Sequence, residues 1–153
     1  MQSLNLPTYS FKLKIKDGKK LIFDEIRRKY VALTPEEWVR QNFTQYLIKE
    51  KSYPASLIVM ERQFDYNRMV KRADIMIHNR SGMPVMLVEC KAPGVKISQE
   101  TFNQIALYNL EFNLPFLVVT NGMKHYCCKY IEKGRAYRFL KQIPDYQELI
   151  RQG

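Results

Sequence analysis

Two acids and a lysine carry the chemistry that this sequence suggests. "MPVMLVECKAP" ends an apolar run with Glu89, Cys90 and Lys91, and "RADIMIHN" sets Asp74 at the head of another. Charged side chains are almost never fully buried unless they are paired or bind something. The Ser-Gly-Met-Pro of "NRSGMP" reads as a turn between the two segments. In a simple antiparallel hairpin centred on Ser81-Gly82, residue numbers of opposite partners sum to 163, so Asp74 faces Glu89. Side chains alternate faces along a strand, which puts Asp74, Glu89 and Lys91 on one face and Cys90 on the other. Facing carboxylates repel unless a divalent cation lies between them. Magnesium takes such ligands, one or two carboxylates plus waters and substrate phosphate. It then polarises a phosphoryl oxygen and acidifies bound water. Lys91, one pleat along, is placed to stabilise charge building on phosphorus. This is the chemistry of phosphodiester hydrolysis. The competing reading is an ordinary Glu–Lys pair at a sheet margin with Asp74 elsewhere, since E-x-K is a common tripeptide.

These residues need strands to hold them and helices to cover those strands. "FKLKIKDGKKLIF" alternates apolar and basic residues about Asp17-Gly18, a hairpin signal, and "RRKYVAL" continues extended. In "TPEEWVRQNFTQYLIKE", Thr34 is the expected N-cap, Pro35 suits the first helical position, and Glu37 completes a capping box. Val39, Phe43, Tyr46 and Leu47 mark the buried face. At about 100° per residue, Glu36 falls near the middle of that face and Glu37 well off it. A first-turn glutamate is equally expected as a partner of the helix dipole. Three strands follow in "SLIVMERQF", "RADIMIHN" and "PVMLVECKA", the last two apolar on both alternating sets, as in central strands. "SQETFNQIALYNLEFN" reads as a helix capped by Ser98, and "PFLVVTNG" as a buried strand. "KHYCCKYIEK" and "GRAYRFL" look like edge strands, and "PDYQELIRQ" like a closing helix. The expected fold is α/β (α+β), a central mixed sheet flanked by helices on both faces. One domain is expected over residues 1–153, with the hairpin of residues 1–24 part of it; there is no repeat or linker at which to divide the chain.

The balance of charges narrows the partners. Twenty-five Lys and Arg against 15 Asp and Glu give +10, which favours a polyanion, nucleic acid before an anionic membrane surface. Three cysteines without a CxxC or Cys/His cluster argue against a structural zinc and for reduced thiols in the cytosol. There is no apolar leader at the N-terminus, and no apolar run approaches the ~18 residues needed to span a bilayer. A cytoplasmic protein without a membrane partner is expected.

Asp74 followed by Glu89-Cys90-Lys91 across a strand-turn-strand resembles the PD-(D/E)xK nuclease superfamily, with Ala73 where the name has proline. The ordered set "TPEEWVRQNFTQYLI", "KRADIMIHN", "VECKAP", "NQIALYN" and "VVTNGMKHY" is similar to the N-terminal domain of type I restriction enzyme R subunits, over about residues 20–131. The resemblance implies a restriction-endonuclease-like fold, dependence on Mg²⁺ with Mn²⁺ able to substitute, and cleavage of DNA. It also implies roles. Asp74 and Glu89 would be metal ligands with the Cys90 backbone carbonyl a third, Lys91 the catalytic lysine, and Glu36 an acid organising metal and water from the upstream helix. Gln104 and Tyr108 would match the Q-x-x-x-Y element of RecB-type nucleases. Four apart, they share one helical face, and they read equally as a polar helix flank.

Within these residues there is no Walker loop, so the motor of an R subunit is missing. Additional subunits, or a homodimer that supplies a second site for the second strand, are therefore expected partners beside DNA. Phosphate contacts are expected from "KIKDGKK", from Arg27, Arg28 and Lys29, and from "RMVKR" at 68–72, with Tyr66 and Tyr126 as nearby aromatic surface. Such basic runs also occur as solvated faces. His78 and His125 read as structural. The alternative to a nuclease is a non-catalytic DNA-binding or partner module on the same fold.

Overall fold

A computed structural model describes residues 1–66, 69–131 and 136–153, with the side chains of 64–66, 69–71 and 111 outside that description. Asp17 and Gly18 both take positive φ (52° and 75°), as a tight two-residue hairpin turn requires. They join β1 (Leu13–Lys16) to β2 (Lys19–Asp24), and β3 (Lys29–Ala32) completes an antiparallel sheet ordered β1-β2-β3. The buried Asp24 carboxylate organises the second turn, accepting from the amides of Ile26 (2.8 Å) and Arg27 (2.9 Å).

Helix α1 (Pro35–Lys51) starts where its signals place it, with Pro35 first and the Thr34 hydroxyl accepting from the Glu37 amide at 3.0 Å. The expected capping box is only half formed. The Thr34 amide donates to the Ala32 carbonyl, and the Glu37 carboxylate turns inward to two arginines. A charge-assisted bond to guanidinium is stronger than one to a neutral amide.

The second sheet has the order β4 (Ile58–Tyr66), β5 (Met69–His78), β6 (Pro84–Cys90), β7 (Phe116–Thr120), β8 (His125–Ile131), β9 (Ala136–Leu140). Only β6–β7 is parallel. A parallel pair needs a crossover, and α2 (Gln99–Asn109), capped by Ser98, lies within it. Helix α3 (Tyr146–Gln152) closes the chain and is capped by Asp145. The strand β8, expected at an edge, lies between β7 and β9. Its neighbours Cys127 and Cys128 bury on opposite faces, while half-exposed lysine, tyrosine and histidine positions give it a polar look.

Helices cover both faces of this sheet, as expected. Val39, Phe43 and Leu47 of α1 and Leu149 of α3 pack with Ile75, Ile77, Val88 and Val118 on one side. Phe102 and Ile105 of α2 pack with Met76, Leu87, Leu117 and Val119 on the other. Among the described residues, no helix is long and apolar enough to cross a membrane.

Candidate functional site

The β5–β6 ladder pairs Ile75 with Val88, Met76 with Leu87 and Ile77 with Met86, before a shift that sets His78 opposite Pro84. The first three pairs keep the sum expected of the hairpin. The turn is built by Asn79, whose Oδ1 accepts from the amides of Ser81 (3.0 Å) and Met83 (2.9 Å). One step beyond Ile75 and Val88, at the end away from the turn, lie Asp74 and Glu89, and there the Asp74 carboxylate accepts from the Cys90 amide at 2.7 Å.

On its other side β5 is irregular at the same residue. The β4–β5 pairing runs Met60 with Ile75 and then Arg62 with Ala73, passing over Glu61 and Asp74. Glu61 has φ 50°, a conformation that costs a side chain on the order of 1 kcal/mol or more. Ala73 packs on the α2 side and Ile75 on the α1 side although they are two apart. Alternation therefore breaks at Asp74.

Arg40, with only 5% of its side chain exposed, reaches both acids at this break. It donates to Glu61 at 2.7 Å, to Glu36 at 3.0 Å, to Glu37 at 3.2 Å and to Asp74 at 3.4 Å. Arg27 extends the network, donating to both oxygens of Glu37 at 3.0 Å and pairing with Asp24 and with Glu61. Burial alone would make both guanidiniums less basic; their carboxylate partners outweigh it and hold them charged. The expectation for the first turn of α1 is reversed. The Glu37 side chain is 8% exposed and that of Glu36 46%, because the two arginines draw Glu37 inward. Glu36 nevertheless stands at the site, where its charge acts on both Asp74 and Glu89.

Burial raises the Asp74 carboxyl above its usual range, against the Cys90 amide and Arg40, which lower it. Burial also raises Glu89; Lys91 opposes the rise, and Asp74 and Glu36 add to it. Lys91 Nζ lies 3.9 Å from Glu89 Oε1. Glu89 Oε2 is buried with no hydrogen-bond partner among the described residues. A buried carboxylate oxygen left unpaired is costly, and a cation is the partner that would satisfy it. No three Asp, Glu, His or Cys side chains converge closely enough among the described residues to cage a metal alone. The donor set suits Mg²⁺, which uses one or two carboxylates and keeps its waters, better than a closed site of three or four side chains.

The remaining expected residues divide. Gln104 and Tyr108 are both exposed, four apart on the outer side of α2. The Cys90 thiol is fully buried, and burial pushes it well up; its amide is what meets Asp74. His78 bonds Arg62 and the Leu57 carbonyl, and His125 bonds Thr120 and the Asn5 carbonyl, both structural uses. Arg27 drops out of the expected phosphate-binding set, because its guanidinium is held inside by three acids. Tyr126 packs edge-on against Phe102 and Phe139. Tyr66, Arg68 and Lys71 lie outside the described side chains, and Arg72 is exposed.

Arg40 and Glu61 are the site residues that sequence reasoning missed, and Arg27 was expected on the DNA and not in this network. A signal for Arg40 existed, because it stands three and four residues after two glutamates on one helix. Nothing comparable marks Glu61, whose role follows from a strand irregularity.

Residues 35–144 match the family model described as the type I restriction enzyme R protein N terminus. No curated protein matches the chain. A solved fragment described as an HsdR subunit of a type I restriction enzyme from Vibrio vulnificus YJ016 is similar in structure, with TM-score 0.53 and 23% identity over 78% of this chain. The chain spans 25% of that one, and at this identity the likeness speaks for the fold. The matched region contains Glu36, Asp74, Glu89, Lys91, Gln104 and Tyr108 and leaves out β1–β3. The six-stranded mixed sheet between helices is the mixed architecture expected, similar in fold to that fragment, and the chain belongs to the family of type I restriction enzyme R protein N-terminal domains.

Proposed function

We propose that this domain is a Mg²⁺-dependent nuclease that hydrolyses phosphodiester bonds in DNA, with Mn²⁺ able to substitute. The observation that carries the reading is the orphaned, buried Glu89 Oε2 beside Lys91 and Asp74, where burial raises both acids. Asp74 and Glu89 would hold the ion, with the Cys90 carbonyl as a third oxygen, and Glu36 would act on it through water. Bound there, Mg²⁺ supplies a Lewis acid and a water of lowered pKa. The Cys90 amide and Arg40 fix the Asp74 carboxylate. Lys91, tethered electrostatically to Glu89, donates toward the scissile phosphate and stabilises the charge that grows there. Glu36, half exposed at the rim, can accept or relay a proton. Gln104 and Tyr108, on the outer side of α2, enter this reading as residues that meet the DNA. These 153 residues hold no Walker loop, and cutting both strands calls for a second site, from a homodimer or another subunit.

Incubating the protein with plasmid, linear and branched DNA and Mg²⁺ or Mn²⁺ tests the proposal. Cleavage should vanish in EDTA and in Asp74→Ala, Glu89→Ala and Lys91→Ala. A protein that binds these DNAs but cuts none of them with either metal refutes it.

A second reading is favoured by Arg40, which already meets Asp74 where a cation would sit. On that reading the domain binds DNA or a partner without catalysis. DNA binding unchanged by EDTA and by Glu89→Ala, without cleavage, is its signature.

A further inference from the structure

The N-terminal sheet carries a charge pattern that the nuclease site does not use. Residues 1–34 hold eight Lys or Arg against three Asp or Glu, about half the excess of the whole chain in under a quarter of its length. Alternation sorts these charges by face. Lys14 lies opposite Leu21 and Lys16 opposite Lys19, so Lys12, Lys14, Lys16 and Lys19 project from the face that also carries Phe23 and its cross-strand partner Tyr30. All four lysines are exposed. Lys20 and Lys29 project from the other face, with the exposed Leu13 and Ile15.

Three features separate this face from a merely solvated one. Lys16 and Lys19 are directly opposed at the end of the ladder, and like charges so placed destabilise a hairpin unless an anion lies over them. Lys14 Nζ stands 4.0 Å above the Tyr30 ring and Lys12 Nζ 5.6 Å from the Phe23 ring, whose planes meet edge-on at 5.1 Å. Cation–π contact of this kind holds an ammonium in place, so two of the four charges are positioned before any ligand arrives. The sheet is also fixed to the body of the domain. Ile22 and Asp24 are fully buried, and Arg27 locks the β2–β3 turn to Glu37 and Glu61, which share Arg40 with Asp74. A ligand on the lysine face is therefore held in a set orientation relative to Glu89 and Lys91.

We infer that the Lys12–Lys14–Lys16–Lys19 face of β1 and β2 is a docking surface for the sugar–phosphate backbone of duplex DNA, outside the region this chain shares with its family. The inference rests on DNA as the substrate of the charged site and adds where the duplex is gripped. Lysines at alternate positions act as point charges on phosphates and impose no sequence preference.

The test is anisotropy of fluorescein-labelled duplex DNA with the intact protein in EDTA, over a KCl series. Each phosphate contact contributes about 0.9 to the slope of log K against log salt, so K14A/K16A/K19A should flatten the slope by about 2.7. Between 50 and 200 mM KCl, the wild type should then lose affinity about 40-fold more than the variant. K14R/K16R/K19R should keep the wild-type slope, and K49A/K141A/R151A, which removes the same charge elsewhere, should leave it little changed. Circular dichroism and the melting temperature verify that each variant is folded. An unchanged slope in the folded lysine-to-alanine variant overturns the inference. So does a loss of binding confined to phosphatidylserine vesicles, which assigns the face to a membrane surface. Because binding is read without metal, a protein that never cuts DNA but shows the flattened slope sinks the nuclease reading alone. One that cuts DNA with an unchanged slope sinks only the docking surface.

Discussion

Replacing Arg40 with methionine is the sharpest probe of how the site is held together. The substitution keeps volume and removes a buried charge that four carboxylates share. Glu36 and Glu61 are exposed enough for their pairs to count for little, about 0–1 kcal/mol each. Glu37 keeps Arg27 at 3.0 Å. Asp74 loses its guanidinium and keeps the Cys90 amide. Breaking a buried pair costs about 3–5 kcal/mol; with these partial replacements the lower end applies, about 3 kcal/mol. For a chain of this size that is a fall in melting temperature of roughly 6–12 °C. Without the arginine, which lowers it, the folded-state pKa of Asp74 rises further. A raised carboxyl stabilises below its unfolded pKa and loses that contribution as pH climbs through the folded value. The deficit should therefore be largest near neutral pH and shrink as the pH falls through the raised folded-state pKa of Asp74. Urea denaturation followed by Trp38, the single tryptophan and part of the same helix, measures both. Adding Mg²⁺ should stabilise the variant more than the wild type, since an ion at Asp74 replaces the lost charge. A variant within ~1 kcal/mol of wild type at pH 7.5 in EDTA, on the magnitudes above, refutes the reasoning.

Other perturbations test neighbouring links. Glu89→Gln removes a buried carboxylate with an unpaired oxygen, so in EDTA at pH 7.5 it should stabilise the fold by about 0.5–2 kcal/mol while abolishing any Mg²⁺-dependent rise in melting temperature. Because burial raises both Asp74 and Glu89, the apparent Mg²⁺ affinity read by that thermal shift should increase with pH across the interval just above ordinary carboxylate values, and level off once both are ionised. Thr34→Ala deletes the 3.0 Å cap on α1 and should cost about 1 kcal/mol in urea denaturation without altering that pH profile.

Much of this site was legible before any coordinates, and particular residues explain why. The hairpin register followed from a turn signal between two apolar runs, and it sets Met76 beside Leu87 on one covered face and Ile75 beside Val88 on the other. The shift at His78 was hidden, since it depends on Asn79 bonding two amides of its own turn. Helix α1 started where Thr34 and Pro35 said it would. Its inward acid was misassigned because an apolar stripe locates one buried face, whereas this helix buries Glu37, Arg40, Gln41 and Gln45 as well. Charge compensation of that kind joins residues 24, 27, 37, 40, 61 and 74, and no periodicity encodes it.

The position of Arg40 also bears on how a metal site and an arginine can share one carboxylate. Its contact with Asp74 is, at 3.4 Å, the longest of its four, while Glu61 at 2.7 Å holds it most closely. Asp74 spends Oδ2 on the Cys90 amide and presents Oδ1 to this distant guanidinium. Glu89, by contrast, has Lys91 at 3.9 Å and one oxygen with no partner among the described residues. Positive charge is thus concentrated toward Glu37 and Glu61 and thins out toward Asp74 and Glu89, the two acids that burial disfavours in their charged form. A divalent ion entering between them would compete only with the two longest of these ion pairs, Arg40–Asp74 at 3.4 Å and Lys91–Glu89 at 3.9 Å. On the proposed reading Arg40 would keep Asp74 aimed while the ion is away, and the unpaired Glu89 oxygen would draw the ion in.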